Sequence, residues 1–245
     1  MAKKLNYQLI AETKDFIVVN KAPGLLSIPD RFRPDEVPNL YHILQADFGE
    51  IYIVHRLDKD TSGIICFART AEAHKNLSLQ FEERKTKKTY WALVLGQPYP
   101  AAGRIDASIG KHPTIAGRMA IARKGKPSIT DYSTLETFKR HSLLACDILT
   151  GRTHQIRLHL KHLGNSLLVD PSYGGQEQFF LSEIKGQKYR SAKYAEERPL
   201  LKRVPLHAYQ LQFADPSSGE ILEFQADPPK DMRATLSQLR KWAKA

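Results

Sequence analysis

Residues 51–69 read IYIVHRLDKDTSGIICFAR, two apolar, β-branched runs on either side of the polar segment HRLDKDTSG at 55–63. Runs of this kind, bounded by Gly, Ser, Asp and Thr, form a strand, a loop and a second strand. The loop carries Asp58 among His55, Arg56 and Lys59. Nearby positive charge favours the ionised form of a carboxylate, which makes Asp58 a candidate nucleophile or base. A surface ion-pair turn explains the same residues equally well, and taken alone the segment leaves both readings open. Asp60, followed by Thr61 and Ser62, reads as a turn former that hydrogen-bonds its own backbone.

Outward from this segment the chain alternates between short strands and helices. FIVVN at 16–20 reads as a strand, 22–24 as a turn, and 27–38, rich in proline and charge, as a surface loop. Helical spacing marks 39–48, with Leu40, Ile43 and Leu44, and 71–85, with Leu77 and Phe81. Residues 90–95 read as a strand, on which Lys88, Tyr90, Ala92 and Val94 share one face. Stretch 97–130 suits an exposed loop or hairpin, and 130–138 and 143–149 alternate as strands. Gly151 breaks the chain, Thr153 can cap a helix running to Leu163, and Gly164 stops it. Residues 171–203 read as a variable polar excursion, 209–213 and 221–225 as a hairpin, and 231–245 as a terminal helix. Strands and helices in no regular β-α-β rhythm predict an α+β fold with a mixed, mainly antiparallel sheet and flanking helices. We expect a single domain over residues 1–245.

Lys plus Arg number 37 against 26 Asp plus Glu, a formal charge of +11. An excess of this size favours a polyanionic partner, nucleic acid before an acidic membrane surface. Cys66 and Cys146 lie in apolar runs and read as buried, reduced thiols. The start MAKKLNYQLIAETKDF has no apolar signal core, and apolar runs stop far short of the ~20 residues that span a bilayer. The expectation is a cytoplasmic protein with no membrane association, monomeric for want of a long amphipathic seam.

In GRTHQIRLHLKHLG at 151–164, Ile156, Leu160 and Leu163 form an apolar stripe, and His154, Arg157 and Lys161 a cationic one, with Arg152 just before. Such a stripe is ordinarily a solvated basic face; phosphate contact or pairing with Asp58 needs support from elsewhere in the chain. His159 and His162 lack the further ligands a metal site requires, so no metal is expected. Asp58 and Asp60 are too loosely related in a loop to act as a glycosidase pair. Tyr90 beside Lys88 is either a core aromatic or half of a face that stacks and neutralises a nucleotide. Walker, dinucleotide, HExxH and GxSxG motifs are absent.

Three segments together resemble the signature motifs of the RluA family of pseudouridine synthases. They are HRLDKDTSG, KTYWALVLG at 88–96 and TGRTHQIRLHLKHLG at 150–164; downstream, PLHAYQLQF is similar to the family's last strand. Two departures stand out: Asn165-Ser166 and Val169 replace a usual Pro and Gly, and Ala214-Asp215 precedes Pro216 without the common His. The resemblance implies the pseudouridine synthase fold with a central RNA-binding cleft, and no separate N-terminal RNA-binding domain. It implies isomerisation of uridine in rRNA or tRNA, with no cofactor. Asp58 would be catalytic, Tyr90 would stack on the uracil, Arg157 would pair with Asp58, and Arg56 would fill the place of the extruded base. Lys88, Arg152, His154 and Lys161 are then candidate RNA contacts, with the basic loops 97–130 and 176–203. The alternative is a non-catalytic RNA-binding or chaperone module of the same architecture.

Overall fold

The computed structural model describes residues 6–190 and 196–245. Its elements in chain order are β1 (Tyr7–Glu12), β2 (Phe16–Lys21), α1 (Leu40–Phe48), β3 (Tyr52–Ile53), β4 (Ser62–Ala68), α2 (Ala71–Glu82) and β5 (Lys87–Leu95). Then come β6 (Ala102–Asp106), β7 (Ile109–Lys111), β8 (Met119–Ile121), β9 (Ile129–Thr137), β10 (His141–Ile148) and α3 (Gln155–His162). The last are α4 (Leu181–Lys185), β11 (Leu206–Ala214), β12 (Ile221–Gln225) and α5 (Lys230–Trp242). Met1–Thr89 with His207–Asp227 form one compact unit, and Tyr90–Leu206 with Pro228–Ala245 a second.

In the first unit the strand order is β1-β2-β4-β11, with β12 beside β11 and β3 beside β4. All pairs there are antiparallel except β4 with β11, which run parallel at Ser62↔His207 and Gly63↔Ala208. Every residue of β4 is buried, which is why SGIICFA reads as an unbroken apolar run rather than an alternating one. Gly63 has φ +115°, and a Cβ there would overlap the backbone of Ala208, so only glycine lets β11 close on β4. Phe16, Val18, Ile64, Cys66, Leu77 and Phe213 make the core of this unit.

In the second unit the order is β5-β10-β9-β6, and β7 with β8 forms a separate antiparallel hairpin. Leu93, Leu143, Leu168, Phe179, Leu236 and Leu239 fill its core. On α5, Met232, Leu236 and Leu239 (i, i+4, i+7) supply the buried stripe.

The mixed, mainly antiparallel α+β class holds, with particular corrections. Stretch 97–130, read as an exposed loop or hairpin, holds the β7–β8 hairpin and in addition β6, which pairs with β9. The 171–203 excursion contributes Tyr173, Phe179 and Leu201 to the interior, all at most 2% exposed. Residues 191–195 of its basic stretch, and 1–5 of the basic start, lie outside the described residues. Helix α2 ends at Glu82, short of Lys85, where Arg84 turns left-handed with φ 60°. Thr153 does not cap α3. The cap position is His154, left-handed at φ 57° with no side-chain cap bond. Gln155 does that work from inside the helix: its Oε1 accepts the Arg152 N–H at 3.1 Å and the Thr150 hydroxyl at 2.7 Å. Its Nε2 donates to the Ile129 carbonyl at 2.9 Å, which ties the turn to β9.

Cys66 and Cys146 are both buried, and burial pushes both thiols up, keeping them protonated. Among the described residues, no helix is long and apolar enough to cross a membrane.

Candidate active site

The loop between β3 and β4 is held by its backbone on both sides of Asp58. On the N-terminal side, Leu57 donates its N–H to Ser27 Oγ at 3.1 Å and accepts the Ser27 hydroxyl at its carbonyl at 2.8 Å. Ser27 is itself fixed to the first turn of α1, whose Tyr41 N–H donates to the Ser27 carbonyl at 3.2 Å. On the C-terminal side, the Lys59 carbonyl accepts the Gly24 N–H at 2.9 Å and the Lys21 ammonium at 3.1 Å. Lys21 is fully buried, and its ammonium also donates to the carbonyls of Ala22 at 2.9 Å and Leu25 at 2.8 Å. A buried charge needs such partners, since leaving one unpaired costs several kcal/mol (~3–5). The Thr61 N–H closes the turn on the Asp58 carbonyl at 3.1 Å. Just beyond, Ser62 Oγ bonds His207 Nδ1 at 3.0 Å, while His207 Nε2 donates to the Ala226 carbonyl at 2.8 Å.

Asp58 is half-buried and Arg56, Lys59 and Asp60 are exposed. His55 turns inward: its ring stacks on Phe81 with centroids 4.5 Å apart, and its Nε2 accepts the Cys66 N–H at 3.1 Å. Burial, helped by the Lys88 charge, pushes His55 down to about 3, so it is a neutral structural acceptor beside Asp58. Lys88 lies 5.3 Å over the same Phe81 ring. Its own proton affinity is lowered by burial and then by Arg84, which makes it a covered cation rather than an extended one.

The remaining expected residues belong to the second unit. Tyr90 is buried on β5. Arg157 on α3 does not lie on a solvated stripe. It forks onto Asp170, Nε to Oδ2 at 2.7 Å and Nη2 to Oδ1 at 2.8 Å, with side chains only 11% and 1% exposed. Its guanidinium also lies 4.8 Å over the Tyr173 ring. His154 reaches the same tyrosine, Nδ1 to the phenol oxygen at 2.8 Å. Arg152 Nε donates to the Pro127 carbonyl at 3.3 Å. Lys161 is exposed in the last turn. His159 is a satisfied core histidine, bonded to Thr130 Oγ1 and the Ala107 carbonyl, both at 2.9 Å. Among the described residues no group of three His, Cys, Asp or Glu is placed to hold a metal.

Residue-pattern reasoning missed Ser27, Lys21, Asp170 and Tyr173. Asp170 lies just before the excursion read as variable and Tyr173 at its start, and nothing local marks either as a partner of Arg157. The departure that follows the third segment supplies bonds of its own: Asn165 Nδ2 donates to the Leu95 carbonyl at 2.9 Å, and Ser166 Oγ to the Tyr173 carbonyl at 3.0 Å.

A half-buried carboxylate on a loop fixed at both flanks, in a chain of net charge +11, is compatible with chemistry on a polyanionic substrate. The sequence profile of the RNA pseudouridylate synthase family matches residues 15–162, and the chain belongs to that family. It is therefore an isomerase that converts uridine to pseudouridine in RNA. The chain is 36% identical over 248 residues to ribosomal large subunit pseudouridine synthase D of Nitrosomonas europaea, covering 98% of this chain and 67% of the relative. The protein of the same name from Pseudomonas aeruginosa is 34% identical over 245 residues, covering 98% and 74%. Among solved structures, human RNA pseudouridylate synthase domain containing 4 shares the fold, with a TM-score of 0.72, 23% identity and coverage of 95% and 92%.

Proposed function

We propose that this chain isomerises uridine in ribosomal RNA, with Asp58 as the catalytic residue. The observation that supports the assignment is the double anchoring of the loop at Leu57 and Lys59, which fixes the backbone on either side of Asp58. The rRNA substrate is taken from the relatives named as large-subunit synthases; a tRNA uridine is the other candidate.

The reaction breaks the N1–C1′ bond, turns the uracil and joins C5 to C1′. The proton on C5 is lost to solvent and N1 gains one, so nothing is oxidised or reduced and no cofactor is called for. One carboxylate suffices, either by attacking C1′ or by removing a sugar proton. Tyr90 would stack on the uracil, and Arg157 would pair with Asp58. The target uridine must leave its stack, at a cost of a few kcal/mol, and Arg56, exposed two residues before Asp58, would occupy its place. Lys88, Arg152, His154 and Lys161 would be further RNA contacts. We take the chain as one catalytic domain acting as a monomer in the cytoplasm.

Asp58→Asn tests the assignment. RNA binding should persist, while release of tritium from RNA labelled at uridine C5 should stop. Undiminished release would sink it. Base-resolution pseudouridine mapping of rRNA and tRNA from cells with and without the gene identifies the substrate.

A further inference from the structure

A cavity of about 570 Å³ opens in the second unit between α3 and the β7–β8 hairpin. Neither Asp58 nor Tyr90 lines it. Its apolar wall is Met119 and Ile121, which share a face of β8, with Leu158 of α3. Its polar wall carries Arg118 and Lys161, with His112 and His162, and no carboxylate. Leu158, Lys161 and His162 (i, i+3, i+4) present one face of α3 to it.

The cavity is built rather than incidental. Ile109, Leu158 and Tyr173 form a small separate core, against which Met119 and Ile121 pack. The Tyr173 phenol accepts the Met119 N–H at 3.2 Å and so pins the hairpin to the wall. Arg118 lies 5.3 Å over the Tyr173 ring, which holds that cation at the cavity. His112 Nδ1 accepts the Ile115 N–H at 3.1 Å, so its proton sits on Nε2 as a further donor.

An apolar wall facing cations, at a size within the ~300–1,000 Å³ of small-ligand sites, matches a nucleotide. Its base would cover the apolar residues and its phosphate would meet the cations. RNA is commonly read through bases splayed out of loops. We propose that this cavity takes an unpaired nucleotide of the substrate RNA, distinct from the isomerised uridine, with its base on Met119, Ile121 and Leu158 and its phosphate on Arg118 and Lys161. The proposal rests on RNA being the substrate. Tyr173 is a wall of the cavity and also lies under Arg157, so occupancy would bear on that arginine through one side chain.

Two measurements on the full chain test this. Ile121→Trp narrows the cavity at its apolar wall. It should raise KM for an rRNA fragment by on the order of tenfold, the worth of one base contact, and leave the single-turnover rate at saturating RNA near wild type. An unchanged KM in the folded variant overturns the proposal. Independently of that variant's folding, wild-type protein is photo-crosslinked to the same fragment carrying 5-iodouridine at unpaired positions other than the target. Crosslinks mapped to 112–121 or 158–173 support the cavity. Their absence from these segments, in protein that does form pseudouridine, overturns it. Crosslinks there without any pseudouridine would leave the cavity standing and refute the catalytic reading instead.

Discussion

The Arg157–Asp170 pair offers the sharpest quantitative test, through Asp170→Asn. The pair is bidentate, with both bonds at 2.8 Å or less, and Asp170 is 1% exposed. Removing one member of a buried pair costs about 3–5 kcal/mol, because the other charge is left uncompensated. Asparagine is isosteric and keeps one acceptor for Arg157 Nε, but it turns an N–H₂ toward Nη2. Arg157 also retains its contact with Tyr173. The lower end, about 3 kcal/mol, is therefore the expectation, and in a chain of this size it corresponds to a fall in Tm of roughly 6–12 °C.

Turnover should suffer separately. A guanidinium released from its fork is misplaced by an ångström or more, which can cost on the order of 10²-fold in rate. Tritium release, measured below the melting range of every variant, reads that loss. Arg157→Met combined with Asp170→Leu separates the two effects. Replacing a buried pair by apolar side chains is often neutral for stability, so the double variant should regain most of the lost Tm and none of the lost activity. Wild-type melting and turnover in Asp170→Asn would refute the reasoning. Recovery of activity in the double variant would reduce Arg157 to a packing residue.

Ser27→Ala removes both partners of Leu57 at once and should cost about 2 kcal/mol; it should slow tritium release while leaving RNA retention on filters unchanged, and full turnover would count against the anchor. Acid should weaken the fold through His55. Its folded value of about 3 lies below its unfolded value, so its stabilisation is complete above about pH 6.5 and is lost as pH falls toward 3. His141 and His159, also lowered chiefly by burial, act with the same sign. In urea titrations, His55→Asn should flatten the acid limb by up to ~1.4 kcal/mol per pH unit; an unaltered limb would remove His55 as a contributor.

Legibility in the sequence followed locality. The β3–loop–β4 segment was readable because turn chemistry and β-branched runs act between neighbours, and α1 because Leu40, Ile43 and Leu44 recur at helical spacing. Ser27 was not, because its role depends on Leu57, thirty residues on, and its surroundings in sequence are prolines and charges. Lys21 ends an apolar strand and looks like an ordinary solvated lysine; only the convergence of three carbonyls in space makes it an interior residue. The α3 stripe misled for a related reason. Spacing places His154, Arg157 and Lys161 on one face, yet Arg157 is covered by Asp170 and Tyr173 from a segment with no periodicity of its own. The bounds of the two compact units were also not legible, since each is assembled from two separate stretches of the chain.

The way the Asp58 loop is held bears on how its chemistry can be tested. Every anchor described at its flanks takes a backbone group: the N–H and carbonyl of Leu57, the carbonyl of Lys59, and the carbonyl of Asp58 itself to Thr61. Backbone anchors survive a change of side chain, so these bonds should persist with Asn or Ala at position 58. Loss of turnover in such a variant, with melting unchanged, then reports the carboxylate. The opposite holds for Arg157, whose guanidinium is itself the structural partner of Asp170. There, any substitution changes packing and chemistry together, and only the paired replacement separates them.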